Sequence, residues 1–475
     1  MEDYKPFIPT GYAAFDILTG QNVRDTEGRL KEIQRGFQVS KQYLFAGERG
    51  TGKTTLLQDF VGFSKHIDYP VYKIIVFNTD NADYSAHRLQ KVTGLTEEEV
   101  KDKFTVYDVD LVQDIRDILT KESTEYKAKK LKAEEYIDIY TGEKKKMIPF
   151  VYVVLDTVTA IRSEDNDVDS KKGDIIGKQN TWVEFNAVSK LVNAIFNFFD
   201  RNIIVLWSSH LKENKAEGMA KQPKKEYKSA PSNMKANVPQ KMRDRVDFTL
   251  NMYAEDSHNL ESDKHPINRF ALEDIESKAV YSTSCVAVKS RFGCEGRTKI
   301  NFMFIDGSFN RDMSFLATCY SLGVIRETTG QYPNGEYPYL WKDLDPDSDV
   351  YTDRMASGRR RKKLLEVPGF DRPTNIIEIR SLLEYAGDSP ELSQYSVMMR
   401  VALNQALEDR LYYELETNNV TNEELETNKK QIKSMLASFR QINRKTVMTA
   451  DEIKSTVAAA PAVITEEQIE EEITL

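Results

Sequence analysis

One stretch of eight residues constrains the fold more than any other. Gly47-Glu48-Arg49-Gly50-Thr51-Gly52-Lys53-Thr54 fits G-x-x-x-x-G-K-[ST]. The apolar run Tyr43-Leu44-Phe45-Ala46 before it reads as a buried strand, and Lys53 to about His66 reads as a helix. Strand, glycine-rich turn, helix is the context the motif requires. Glycines let the backbone curl so that successive N–H groups point at phosphate oxygens. The helix start adds the positive end of its dipole. Lys53 is expected to neutralise the β and γ phosphates of ATP, and the Thr54 hydroxyl to hold Mg²⁺. The expected cradle runs from Gly47 through Glu48, Arg49, Gly50, Thr51, Gly52, Lys53 and Thr54 to Thr55.

The first half of the chain extends this pattern. Tyr72 to Phe77, Phe150 to Leu155 and Asn202 to Trp207 are apolar runs of strand length. Between them, Asp83 to Val92, Leu111 to about Ile137 and Thr181 to Phe199 read as helices. The last carries Trp182, Phe185, Val188, Val192, Ile195 and Phe199 on one face. Alternating strands and helices with uninterrupted apolar strands predict an α/β fold, with a mostly parallel sheet covered on both faces. The Lys/Glu-rich segment Lys121 to Met147 reads as a solvated helical insertion. Leu211 to Asp244 is aperiodic and rich in Lys, Pro, Ser and Asn, which marks a functional or disordered loop.

Composition closes off several classes. A length of 475 residues predicts two to three domains, and 40% hydrophobic residues allow a real core. The net charge of -9 argues against a chain that coats polyanions over its whole surface, but not against a local basic groove. Five glutamates between Glu466 and Glu472 make that acidity partly a property of the tail. Three cysteines without a CxxC pair suit neither a disulfide framework nor a zinc site. No signal peptide and no apolar run of membrane-spanning length is visible, so a cytoplasmic location without membrane is expected.

Acids and a histidine stand at the strand ends. Asp156 ends the most apolar strand, where a carboxylate could reach Mg²⁺ through water or merely cap the turn. Asp80 follows the strand ending at Phe77 and is the candidate for orienting the attacking water. His210 ends a third strand and could sense the γ-phosphate, or be structural.

With these pieces in order, the chain resembles RecA-type recombinases, and most of all their UvsX-type bacteriophage branch. Matching segments run from Ile8 to Trp341. They include Ile8-Pro9-Thr10-Gly11, the ATP loop, Val154-Leu155-Asp156-Thr157-Val158, Ser209-His210 and Val288-Lys289-Ser290-Arg291-Phe292. The resemblance implies a RecA-like P-loop NTPase core, here followed by a helical C-terminal region and a mobile acidic tail. It gives Lys289 and Arg291 the role of cations that reach the neighbouring subunit's ATP, tying hydrolysis to assembly. It places a first DNA loop at Arg162 to about Gln179, with Lys171, Lys172 and Lys178. It places a second at Leu211 to Asp244, with Lys212, Lys215, Lys221, Lys224, Lys225, Lys228, Lys235, Lys241 and Arg243. Tyr227 is the lone aromatic of the second loop, so phosphate neutralisation should outweigh stacking, and binding should weaken steeply with salt.

The expected activity is that of a DNA-dependent ATPase. It would bind single-stranded DNA as a filament and pair it with homologous double-stranded DNA in recombination, repair and replication. Mediator and single-strand-binding proteins would be partners, and a phage protein in a bacterial host is implied. Two other readings stay open: a hexameric DnaB-like replicative helicase motor, and an ATP-binding switch without strand exchange. Asp80 stands where the family usually has Glu, one methylene longer. Expected divisions are an N-terminal segment with an insertion (1–36), the core (37–342), a basic linker (343–373), helices (374–445) and a flexible tail (446–475). Arg359 to Lys363 in the linker is a DNA contact or a solvated run.

Overall fold

The apolar runs form strands, and alternation along each strand splits the core in two. On β1 (Lys41–Gly47), Tyr43 and Phe45 enter one apolar cluster while Leu44 and Ala46 enter the other. β2 (Val71–Asn78), β4 (Phe150–Asp156) and β5 (Ile203–Glu213) alternate likewise. Tyr152, Val154, Ile204 and Leu206 face the first cluster; Val151, Val153, Val205 and Trp207 face the second. Period-two burial with apolar residues on both faces is the signature of a sheet covered on both sides.

The structure, a computed structural model, describes residues 6–24, 30–139, 143–163, 179–213, 234–254, 270, 280–292, 299–328, 364–368 and helical positions between 376 and 407. The remaining strands of the main sheet are β3 (Phe104–Tyr107), β6 (Phe248–Ala254), β7 (Val280–Ser290), β8 (Lys299–Ile305) and β9 (Ser308–Asn310). Their order is β9-β8-β7-β6-β1-β5-β4-β2-β3. From β6 to β3 every pairing is parallel, and β7, β8 and β9 add antiparallel strands at one edge. The parallel run puts the carboxyl ends of β1, β5, β4 and β2 along one edge of the sheet, with β5 between β1 and β4.

Helices cover both faces. α1 (Ala13–Thr19), α2 (Lys53–His66), α3 (Ala86–Thr93), α4 (Glu97–Lys103) and α8 (Arg311–Ser321) pack against the first cluster. α5 (Val112–Ala128), α6 (Gln179–Ala194) and α7 (Gln240–Arg245) pack against the second. Beyond the core, helical Ile376, Ile379, Leu383, Met399, Leu403 and Leu407 join the first cluster. Arg400 ties them to α8 through Asp312 at 2.8 Å.

Several expectations change. The helix from Leu111 ends at Ala128 instead of continuing to Ile137. Glu134–Ile137 instead pairs with Lys144–Met147 in an antiparallel hairpin. Tyr136 buries its ring 4.6 Å from that of Tyr69, and this packing overrides the helical leaning of a Lys/Glu-rich segment. The other insertion also forms a hairpin, Gln21–Arg24 with Leu30–Gln34. The Thr181 to Phe199 helix breaks after Ala194 into a tighter turn with positive φ at Phe199 and Asp200. α4 and β3 were not expected. α4 opens with a reciprocal cap between Thr96 and Glu99, a T-x-x-E signal present in the sequence. Within the expected linker, Leu364–Glu366 pairs with Arg326–Thr328. The run Arg359 to Lys363 and the tail lie outside the described residues.

Candidate nucleotide site

The turn after β1 is shaped by its glycines. Gly52 sits at φ 81, immediately before α2. A Cβ there would lie 2.6 Å from the Phe309 ring, so both backbone and space demand glycine. The first N–H groups of α2 are left facing the turn, as at any helix start. Lys53 folds back over the loop, its Nζ donating to the carbonyls of Gly47 at 2.9 Å and Glu48 at 2.7 Å. Burial pulls its pKa from 10.5 down to about 8, against the opposing pull of Asp156, Asp80 and Glu48. Thr51 turns inward to Glu48 O at 2.9 Å, and the Thr55 hydroxyl accepts from Arg88 at 2.7 Å.

Asp156, at the carboxyl end of β4, is buried and receives three hydroxyl groups. Thr54 donates to Oδ2 at 2.6 Å, Tyr84 donates to the same oxygen at 3.0 Å, and Ser208 donates to Oδ1. Thr79 fixes the neighbouring strand ends: its hydroxyl donates to Thr157 O at 2.6 Å and accepts from Thr157 N at 2.7 Å. His210 ends up opposite Gly47 across β5 and β1. Its Nε2 lies 3.7 Å from Asp80 Oδ2. Burial lowers the His210 pKa, with Lys53 adding to the effect and Asp80 opposing it, which favours the neutral imidazole at pH 7.

These side chains enclose a cleft of about 300 Å³ lined by Arg49, Gly50, Gly52, Lys53, Thr54, Asp80, Ala82, Asp156, Thr157 and His210. The five candidates Lys53, Thr54, Asp80, Asp156 and His210, drawn from four separate segments, therefore meet at one place. The Thr54 hydroxyl and Asp156 carboxylate offer hard oxygen donors on the same wall. That suits a Mg²⁺ that completes its shell with phosphate and water. Among the described residues no group of three His, Cys, Asp or Glu converges, and a phosphate-bound Mg²⁺ needs none.

Lys289 and Arg291 are elsewhere. Thr249 pairs with both Lys289 and Leu44, so they flank the amino-terminal part of β1, away from Gly47. Lys289 Nζ donates to the carbonyls of Arg243 and Asp244, each at 2.7 Å, at the last turn of α7. Arg291 donates to Asp247 Oδ1 at 3.1 Å and to Asp244 O at 3.3 Å. Asp247 also pairs with Lys41 at 3.1 Å. Neither cation lines the cleft of its own chain.

The second candidate DNA loop is described at its two ends. Lys212 stands directly opposite Lys235 where Met234–Ala236 pairs with the end of β5. Burial lowers the Lys212 pKa, and the charges of Lys235 and Arg243 lower it further. Its Nζ lies 5.5 Å from the centre of the Phe185 ring. Lys241 and Arg243 lie on α7, Lys241 exposed. Lys171, Lys172, Lys178, Lys215, Lys221, Lys224, Lys225 and Lys228 lie outside the described residues.

Tyr84 and Ser208 were missed. A serine directly after the apolar run Ile203 to Trp207, two residues before His210, was a signal for one. Tyr84 has no local signature, because its contact with Asp156 spans 72 residues.

Loop and sheet together define the class: a mixed α/β protein with a mostly parallel central sheet, which fits a RecA-like P-loop core. The chain belongs to the AAA domain family, whose model matches residues 40–284. Among solved structures, the crystal structure of the RadB recombinase is similar at 16% identity and a TM-score of 0.34, over 56% of this chain and 89% of that one. No curated protein matches the chain. Among the described residues, no helix is long and apolar enough to cross a membrane.

Proposed function

We propose that the protein is a DNA-dependent ATPase of the RecA recombinase type, with motifs nearest the UvsX-type phage branch. The observation that carries the reading is the meeting of Lys53, Thr54, Asp80, Asp156 and His210 at one cleft beside the glycine loop. The triphosphate of ATP would lie along that loop against the start of α2. Lys53 would leave the Gly47 and Glu48 carbonyls for the β and γ phosphates. Thr54 and Asp156 would hold Mg²⁺, which neutralises phosphate charge when bound. Asp80 would orient the attacking water, and the neutral His210 would report the γ-phosphate to the segment that follows it. Lys289 and Arg291 would complete the cleft of a neighbouring copy in a filament.

Single-stranded DNA would lie on the basic surface around Lys212, Lys235, Lys241 and Arg243, before pairing with homologous duplex. Like charges placed opposite each other repel. A polyanion would relieve that repulsion between Lys212 and Lys235. Replacing both with Ala should weaken single-strand binding at low salt. The slope of log K against log salt should flatten by about 1.4, the value for two lost phosphate contacts. Fluorescence titrations over a salt series measure this, and an unchanged slope removes the two lysines from the DNA surface.

The function itself is tested by ATP hydrolysis with and without single-stranded DNA, imaged in parallel by electron microscopy. Stimulated hydrolysis on open filaments that exchange strands supports the recombinase. Closed rings that unwind forks would identify a helicase motor. Unstimulated, near-zero turnover would identify a switch.

A further inference from the structure

We infer that Tyr84 is a positioning residue of the nucleotide site, tying the loop that carries Asp80 to Asp156. The inference rests on the ATPase reading and deepens it. The segment between β2 and α3 is held at both ends. At its start, Thr79 N donates to Asp156 O at 2.8 Å. The Asn78 side chain donates to Asp108 Oδ1 at 2.7 Å and to Ala82 O at 3.0 Å, and accepts from Ala82 N at 2.8 Å. At its end, Gln58 donates to Asp83 O at 2.8 Å and Tyr84 donates to Asp156 Oδ2 at 3.0 Å. Asp80 stands between these anchors at the bend, with Asn81 at φ 51. Its side chain is 54% exposed, so its aim depends on the anchors more than on its own packing.

The Tyr84 anchor differs from the others because it ends on the atom that also receives Thr54. One carboxylate oxygen thereby joins the Thr54 wall of the cleft to the Asp80 loop. The phenol is buried at 8% exposure, so its hydroxyl is aimed at Asp156 and away from solvent. An aspartate reaches less far than a glutamate. Its placement against the attacking water therefore leaves less slack, and displacements of about 1 Å are costly in such geometry.

The test is Tyr84→Phe in the full chain, which keeps the ring and removes the hydroxyl. With single-stranded DNA present, kcat for ATP should fall about ten-fold, the scale of one lost hydrogen bond to a charged group. KM for ATP should stay within about a factor of two, because Lys53 and the glycine-loop backbone make no bond to Tyr84 and Thr54 keeps its own bond to Asp156. In an Asp80→Ala background, Tyr84→Phe should add nothing further, since a residue that acts through Asp80 is non-additive with it. A wild-type kcat in Tyr84→Phe, a change confined to KM, or full additivity with Asp80→Ala would each overturn the inference while leaving the ATPase reading intact. A wild-type chain that hydrolyses no ATP would instead sink that reading, and the inference with it.

Discussion

Lys53→Ala should abolish ATP turnover, lowering kcat by about 10³-fold or more, as expected when a preorganised charge facing the transferred phosphate is lost. The folded-back Lys53 adds a pH signature. In the ligand-free cleft its pKa is about 8, because burial disfavours the ammonium. Triphosphate placed beside it favours the charged form and raises that pKa. Binding therefore takes up a proton above pH 8. ATP affinity should be flat below pH 8 and fall by up to about ten-fold per unit as pH rises past it. Lys53→Arg keeps its charge throughout this range, so its remaining affinity should lose the dependence. Nucleotide titrations from pH 7 to pH 9.5 measure both. An affinity in the wild type that does not weaken above pH 8 would remove Lys53 from the phosphates.

Arg291→Ala should lower turnover by about 10³-fold, the scale of an arginine supplied in trans, while nucleotide binding to the isolated chain stays near wild type. Lys289→Ala should act in the same direction. The split follows from position. Both cations sit beside the amino-terminal part of β1, gripping the last turn of α7 and Asp247, away from the cleft of their own chain. A loss of nucleotide affinity in the isolated Arg291→Ala chain would argue against the assignment. For Arg291 to act on a neighbour it must exchange Asp247 for phosphate. Lys41 remains to pair with Asp247 when it does.

Much of the fold was legible because its strands are unbroken apolar runs bounded by polar residues. Tyr43 to Ala46 and Phe150 to Leu155 have no competing reading as amphipathic helices. The glycine loop was legible because its backbone demands are local: Gly52 needs positive φ and lacks room for a side chain. Asp156, Asp80 and His210 could be found as polar residues just after apolar runs, although β5 continues past His210 to Glu213 instead of ending there. Their convergence needed the parallel sheet order, which places β5 between β1 and β4. What escaped was decided at long range. The 134–147 hairpin depends on Tyr136 meeting Tyr69, and Tyr84 on meeting Asp156. Lys212 and Lys235 read as two members of a lysine-rich loop, and only strand pairing makes them face each other.

The most direct test mixes two inactive chains. Lys53→Ala has a crippled cleft but intact Lys289 and Arg291; Arg291→Ala has an intact cleft and lacks one trans cation. Combined with single-stranded DNA, they should recover ATP hydrolysis well above the sum of the separate rates, because one chain completes the cleft of the other. Hydrolysis in the mixture no greater than that sum, from chains that still co-assemble on DNA, would contradict the account.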